Sequence, residues 1–144
     1  MVVKQLSVFI ENRTGRLQEI SEVLKQNGIN IISFSLADTN EFGLLRMIVT
    51  KPEEAKTVLK AQGLSAMLSD VIAVRMQHKV GMLQSVLKVL SDEDLNIEYM
   101  YVLSTEPNTS SMIVKVSDLD KAKQAIDNNK IKVLDSKSVY RLVE

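Results

Sequence analysis

Two short loops in this chain carry the same chemistry. Glu11-Asn12-Arg13-Thr14-Gly15-Arg16-Leu17 and Gln77-His78-Lys79-Val80-Gly81-Met82-Leu83 each follow an apolar, strand-like run and open a helix-like run. A strand that turns at a glycine into a helix makes an anion cradle. Glycine lets the backbone approach a ligand closely, and the first N–H groups of a helix have no acceptor within it. The loop is too short to wrap a nucleoside triphosphate and holds no Gly-Lys-Ser/Thr, so its size suits a single carboxylate. Asn12, at the loop's start, can donate and accept hydrogen bonds. Fifteen residues beyond each glycine stands another asparagine, Asn30 and Asn96. Asn30, entering the next strand, offers a carbonyl to an ammonium group. A carboxylate cradle with a carbonyl acceptor nearby is what an α-amino acid requires. The plainer reading is that Gly15 and Gly81 only shape tight turns, while Asn12 and Asn30 bond to local backbone.

One such loop would mean little, but two at a fixed offset mean an internal duplication. Gly15 meets Gly81, Leu17 meets Leu83, Val23 meets Val89 and Asn30 meets Asn96, all 66 positions apart. Later in each repeat the offset is 67, so that Leu45, Met47 and Val49 meet Met112, Val114 and Val116. One extra residue in the second repeat accounts for the shift. The turn Thr105-Glu106-Pro107-Asn108-Thr109 is its expected place, because proline and asparagine suit central turn positions.

The elements around the loops follow from periodicity. Val3 to Ile10 reads as a strand, and Leu17, Ile20 and Leu24 share one helical face with Val23 beside them. Gly28 supplies a left-handed stop, a place that Asp94 takes in the second repeat. Asn30 to Ala37 and Leu44 to Val49 read as strands joined by the turn at Asp38-Thr39-Asn40-Glu41. Pro52 opens a second helix, with Ala55, Val58 and Leu59 inward, and Gly63 ends it. In the second repeat Leu83, Val86, Leu87 and Leu90 give the helical stripe. Leu95 to Leu103, Met112 to Val116 and Lys121 to Asp127 then follow as strand, strand and helix.

The order is strand–helix–strand–strand–helix–strand, twice. The fold class is therefore α+β: two ferredoxin-like βαββαβ domains, residues 1–69 and 70–144, each an antiparallel sheet with two helices on one face. Ile97, Tyr99, Tyr101 and Leu103 are expected on one sheet face, and Met100 and Val102 on the other. Apolar residues on both faces imply that part of the helix-free face, or a sheet edge, is covered. The stretch from Leu64 to Met76 is either two strands or one long run. No Gly/Ser/Pro linker separates the repeats.

The 144 residues suffice for two small domains of about 70 residues, near the lower limit for a self-sufficient core. Lysine plus arginine and aspartate plus glutamate are equal at 18 each, so nothing marks a nucleic-acid or anionic-membrane surface. With no cysteine and one histidine, thiolate sites, disulfides and histidine-rich metal sites are excluded. Met1 leads almost directly into Leu6 to Ile10 without a charged leader region. No apolar stretch approaches the roughly 18 residues of a membrane span. A soluble cytoplasmic protein is expected, without cofactor or membrane partner.

Asn-x-x-Gly-x-Leu followed by Gly-Ile-Asn-Ile resembles the ACT domain, the small-molecule regulatory module of amino-acid metabolism. Glu11-Asn12-Arg13 with Gly15 and Leu17, then Gly28-Ile29-Asn30-Ile31, resembles the serine-binding regulatory domain of 3-phosphoglycerate dehydrogenase. In that family the two asparagines hold the amino acid at an interface between two domains. The resemblance covers the whole chain as two such modules without a catalytic domain. It implies a non-catalytic sensor that binds a free L-amino acid and acts on a metabolic enzyme. The small modules, the sheet edges that need covering and the strands apolar on both faces imply self-association, most simply as a homodimer. The ligand-contacting set that the resemblance implies is Asn12, Thr14, Gly15, Arg16, Leu17 and Asn30 in the first repeat. In the second it is His78, Gly81, Met82, Leu83 and Asn96. His78 replaces the loop asparagine, and Thr14 and Val80 replace the usual proline, so the first repeat holds the principal site.

Two rival readings remain. A ferredoxin-like hydrolase of the acylphosphatase type would direct Arg13 or Arg16 into the cradle, although Lys79 and Met82 stand at those positions in the second repeat. An interaction subunit with degenerate pockets would bind no amino acid. The acidic run Asp92-Glu93-Asp94 reads as a solvated helix end, and Tyr99, Tyr101 and Tyr140 as half-buried residues or an interface cluster.

Overall fold

The computed structural model describes residues 2–38 and 41–143, Asp38 by its backbone alone. The chain runs β1 (Val2–Glu11), α1 (Arg16–Gln26), β2 (Ile31–Asp38), β3 (Phe42–Val49), α2 (Pro52–Ala61) and β4 (Ser65–Gln77). It continues with α3 (Met82–Asp92), β5 (Ile97–Thr105), β6 (Thr109–Val116), α4 (Leu119–Asn128), β7 (Lys132–Leu134) and α5 (Ser136–Tyr140), and closes on a 3-10 turn at Arg141–Val143. Two βαββαβ repeats are present. Met1, and Thr39 and Asn40 of the expected first hairpin turn, lie outside the described residues.

The stretch that read two ways in the sequence is one strand. β4 is 13 residues long, the last strand of the first repeat and the first strand of the second. Lys4–Ser69 with Val143 forms one compact unit, and Asp70–Leu142 with Val2 and Val3 the other. In the first, hydrogen-bonded neighbours run β2-β3-β1-β4; in the second, β5-β6-β4, with β7 also on β4. Both orders are second, third, first and last strand of their repeat, as the split βαβ arrangement requires.

Each unit packs its two longer helices on one sheet face. In the first, Leu6, Val8 and Ile10 of β1 and Leu45, Met47 and Val49 of β3 meet Ile20 and Leu24 of α1 and Ala55 and Leu59 of α2. In the second, Ile72, Val74, Val114 and Val116 meet Val86 and Leu90 of α3 and Ala122, Ala125 and Ile126 of α4. Each large side chain buried in this way contributes roughly 1.5–3 kcal/mol. The helix-free faces are also buried at Gln5 and Ile48 in one unit and at Val71, Ala73 and Ile113 in the other. Leu17, expected inward, is 38% exposed, because it sits one turn beyond the buried stripe of Ile20 and Leu24.

The helix stops follow the sequence closely. Gly28 has φ 66°, and Asp94, its counterpart, φ 55°. Gly63 has φ 80°, while Lys130 takes the same place in the second repeat at φ 54°. α5, capped by Asp135 accepting from the Ser138 N–H, was not foreseen.

The β5–β6 hairpin corrects two expectations. Its register shifts between Ile97 and Tyr99, as β2–β3 shifts between Ile31 and Ser33. That bulge turns Ile97 to the helix side with Met100, away from Tyr99 and Tyr101, so the four residues do not share a face. The two tyrosines stack on the other side, centroids 6.5 Å apart. A second shift, between Val102 and Ser104, has no counterpart in β2. Leu103 is thus the extra residue of the second repeat. The turn is not longer: Asp38 pairs Gly43, Thr105 pairs Ser110, and each pair encloses four residues.

Candidate functional site

Each cradle is built by the same backbone device. Gly15 precedes α1 at φ 86° and Gly81 precedes α3 at φ 88°, both left-handed and neither helix start capped by a side chain. No Cβ is tolerated without strain at such angles. The chain enters through a tight turn, with the Arg16 N–H on the Arg13 carbonyl at 3.3 Å and the Met82 N–H on the Lys79 carbonyl at 3.3 Å. The Glu19 and Ser85 N–H groups then reach back to Gly15 and Gly81. Among the described residues no acceptor serves the N–H groups of Leu17 and Gln18 in one repeat, or of Leu83 and Gln84 in the other. They are open to an anion, with the positive end of the helix dipole behind them.

Asn12 and Asn30 lie at opposite ends of the first unit. The Asn12 N–H bonds to Glu41 O, just before β3, at 3.1 Å. Asn30 O accepts from the Thr50 N–H, just after β3, at 3.0 Å, and its own N–H donates to Thr50 Oγ1. The eight residues of β3 separate them by roughly 25 Å. One small molecule in one unit cannot touch both. His78 and Asn96 are placed in the same way, His78 N–H on Asn108 O and Asn96 O on the Ser117 N–H. The side chains of Asn12, Asn30, His78 and Asn96 are all exposed.

Surface hollows divide accordingly. In the first unit Leu17 lines a groove of about 360 Å3 between α1 and β2, floored by Ile20, Phe34, Leu45 and Met47. Asn30 lines another of about 390 Å3 with Ser21, Lys25 and Gly28. In the second unit His78, Met82 and Leu83 line a hollow of about 320 Å3 with Val102 and Met112, and Asn96 is not part of it. β2 and β5 end their sheets, so each has one edge without a strand partner among the described residues. Phe34 on β2, which lines the groove with Leu17, is 60% exposed, and Leu36 on the same strand 46%.

The arginines do not act as free anion-binding groups. Arg13 meets Glu11 at 3.3 Å and Glu19 at 3.3 Å, and Arg16 meets Glu19 at 2.8 Å. The hydrogen bond from Arg16 is the largest influence on the Glu19 carboxyl and, with the bond from Arg13, outweighs the opposing desolvation and holds it below the usual range. A depressed carboxyl pKa stabilises the folded loop above the ordinary value of about 4.5, and this is lost as pH falls through the lower folded value. A carbon-detected NMR titration is expected to find Glu19 ionising below the ordinary glutamate range. Titration within that range would show that the arginines do not hold it. Thr14, also in the loop, is exposed and makes no side-chain hydrogen bond among the described residues.

Among the described residues no group of three or more histidine, cysteine or acidic side chains could hold a metal, and no helix is long and apolar enough to cross a membrane. A family model describing an ACT domain pair matches residues 1–143. The chain is similar to the crystal structure of protein BT0572 from Bacteroides thetaiotaomicron, at 35% identity and a TM-score of 0.93 over 98% of this chain and 97% of that one. It shares its fold with the ligand-free regulatory subunit of aspartate kinase from Thermus thermophilus, at 19% identity and a TM-score of 0.62 over 87% and 91% of the two chains. The Thermus flavus regulatory subunit matches at 17% identity and a TM-score of 0.62 over 98% and 92%. No curated protein matches.

Proposed function

Since the chain belongs to the ACT domain family as a domain pair over residues 1–143, we propose that it is a regulatory protein, without catalysis of its own, that binds a free L-amino acid. The observation that carries this reading is the cradle itself, built twice with the same left-handed glycine and the same open N–H groups. Nothing else in either loop supplies a nucleophile or a metal set. The ligand's carboxylate sits on the helix N-terminus above Gly15, and Leu17 bounds its side chain. The ammonium group goes to the Asn30 carbonyl of a second copy of the chain.

That second copy follows from the separation of Asn12 and Asn30. A two-fold axis beside β2 reverses one unit against the other, so the loop end of one meets the Asn30 end of its partner. The edge of β2, which has no strand partner among the described residues and carries the exposed Phe34 and Leu36, supports pairing there. The protein is thus read as a cytoplasmic homodimer whose amino-acid occupancy is transmitted to a metabolic enzyme. Regulatory subunits of aspartate kinase share the fold. The hydrolase reading is disfavoured, because Glu19 holds both arginines that it would need. Calorimetry of the full chain against all twenty amino acids at millimolar concentration is expected to give saturable heat for one or a few. No heat and no thermal shift with any of them would leave an interaction subunit as the better reading.

A further inference from the structure

The two repeats share a backbone but differ on the other side of the helix that follows the cradle. In the first, Arg16 lies against this flank, its side chain 21% exposed and its Nε buried without a partner among the described residues. Glu11 and Glu19 neutralise Arg13 and Arg16 there. In the second, Met82 replaces Arg16, Ser85 replaces Glu19 and Gln77 replaces Glu11. Both acids and the bulky arginine are gone, and a cavity of about 620 Å3 opens, within the range of small-molecule sites.

The lining of this cavity has a definite chemistry. Its cationic groups are Arg75, Lys79, Lys130 and Lys132, and among the described residues no acidic side chain lines it. Three of these charges have no counterpart in the first repeat, where Phe9, Gly63 and Ser65 stand at the places of Arg75, Lys130 and Lys132. Arg75 is loosely held, 3.4 Å from Glu106 and 3.4 Å from the Thr109 hydroxyl. None of the three lysines is in an ion pair among the described residues. The floor is Met76, Met82, Val86, Val89 and Ile131, aliphatic and thioether groups without a ring. Methionine adapts to irregular apolar shapes, and nothing here would stack on a nucleobase. We propose that this cavity of the second unit is a binding site for an aliphatic organic anion, whose chain lies on the methionine and valine floor and whose carboxylate or phosphate head meets Lys79, Lys130 and Lys132. It lies beside the second cradle, sharing Lys79 and Met82 with the hollow there, and takes a different class of molecule.

Octanoate is the probe, titrated into the full chain labelled at its methyl groups. The Val89 and Ile131 methyls, which line only this cavity, are expected to shift with saturation, while Val102, in the neighbouring hollow beside His78, stays in place. Octanol at equal concentration should not shift them. Octyl phosphate in place of octanoate ranks the two head groups. Ser85→Glu restores the first repeat's acid, and Lys132→Glu reverses an exposed charge on β7; each is expected to weaken octanoate binding about ten-fold or more. Equal shifts with octanol, unchanged affinity in both folded variants, or shifts confined to Val102 would overturn the proposal. Amino-acid binding measured on the same variants should persist, so failure of one site is distinguishable from failure of the other.

Discussion

Replacing Asn30 by alanine is expected to weaken amino-acid binding about ten- to a hundred-fold, the effect of losing one hydrogen bond to a charged group of roughly 1.5–3 kcal/mol. Asn96→Ala should cost less, because the loop of the second repeat presents His78 where the first presents Asn12. The placement of Asn30 sharpens the test. It is held at the Thr50 end of β3 and Asn12 at the Glu41 end, so a ligand that needs both must draw them from two copies. An Asn12→Ala chain mixed with an Asn30→Ala chain is expected to regain tight sites in its mixed dimers, which each variant lacks alone. Calorimetry on the mixture reads this directly. A mixture no better than its components, or a monomer by light scattering at micromolar concentration, would refute the shared site.

Leu24→Ala is expected to cost about 2–5 kcal/mol. Leu24 is fully buried between α1 and the first sheet, and its carbonyl also accepts the N–H groups of Asn27 and Ile29 that close the helix. A core this small rarely supplies more than about 3–5 kcal/mol in all, so the substitution should leave the first unit largely unfolded at ambient temperature. Urea unfolding followed by amide exchange would locate the loss in residues 4–69. A change below about 1 kcal/mol, with exchange protection of α1 intact, would mean that the face of Ile20 and Leu24 is not the core.

What the sequence disclosed and what it hid have separate physical origins. Glycine and aspartate at left-handed positions are local requirements, so Gly28, Gly63 and Asp94 marked helix ends reliably. Strand faces depend on register, and register depends on a partner strand far along the chain. Nothing local at Ile97 or Leu103 announces a bulge, and each bulge reverses the alternation beyond it. The cradles were legible because a glycine turn before a helix is a local device. The distance of Asn30 from the loop was not, because the fifteen-residue step from Gly15 to Asn30 includes an 11-residue helix that carries the chain to the far end of the sheet. The cavity beside α3 left a signal that pairing the repeats could have found, in the exchange of Arg16 and Glu19 for Met82 and Ser85.

The undivided β4 bears on how this protein can be taken apart. The boundary expected between residues 69 and 70 falls inside a hydrogen-bonded strand, with Ala66 in the first core and Ile72 in the second. A gene cut there would give each half a truncated border strand and a raw, adhesive edge. Isolated repeats would instead have to overlap, both carrying residues 65–77. The same economy means that an insertion between the two repeats would break a shared strand rather than lengthen a spacer.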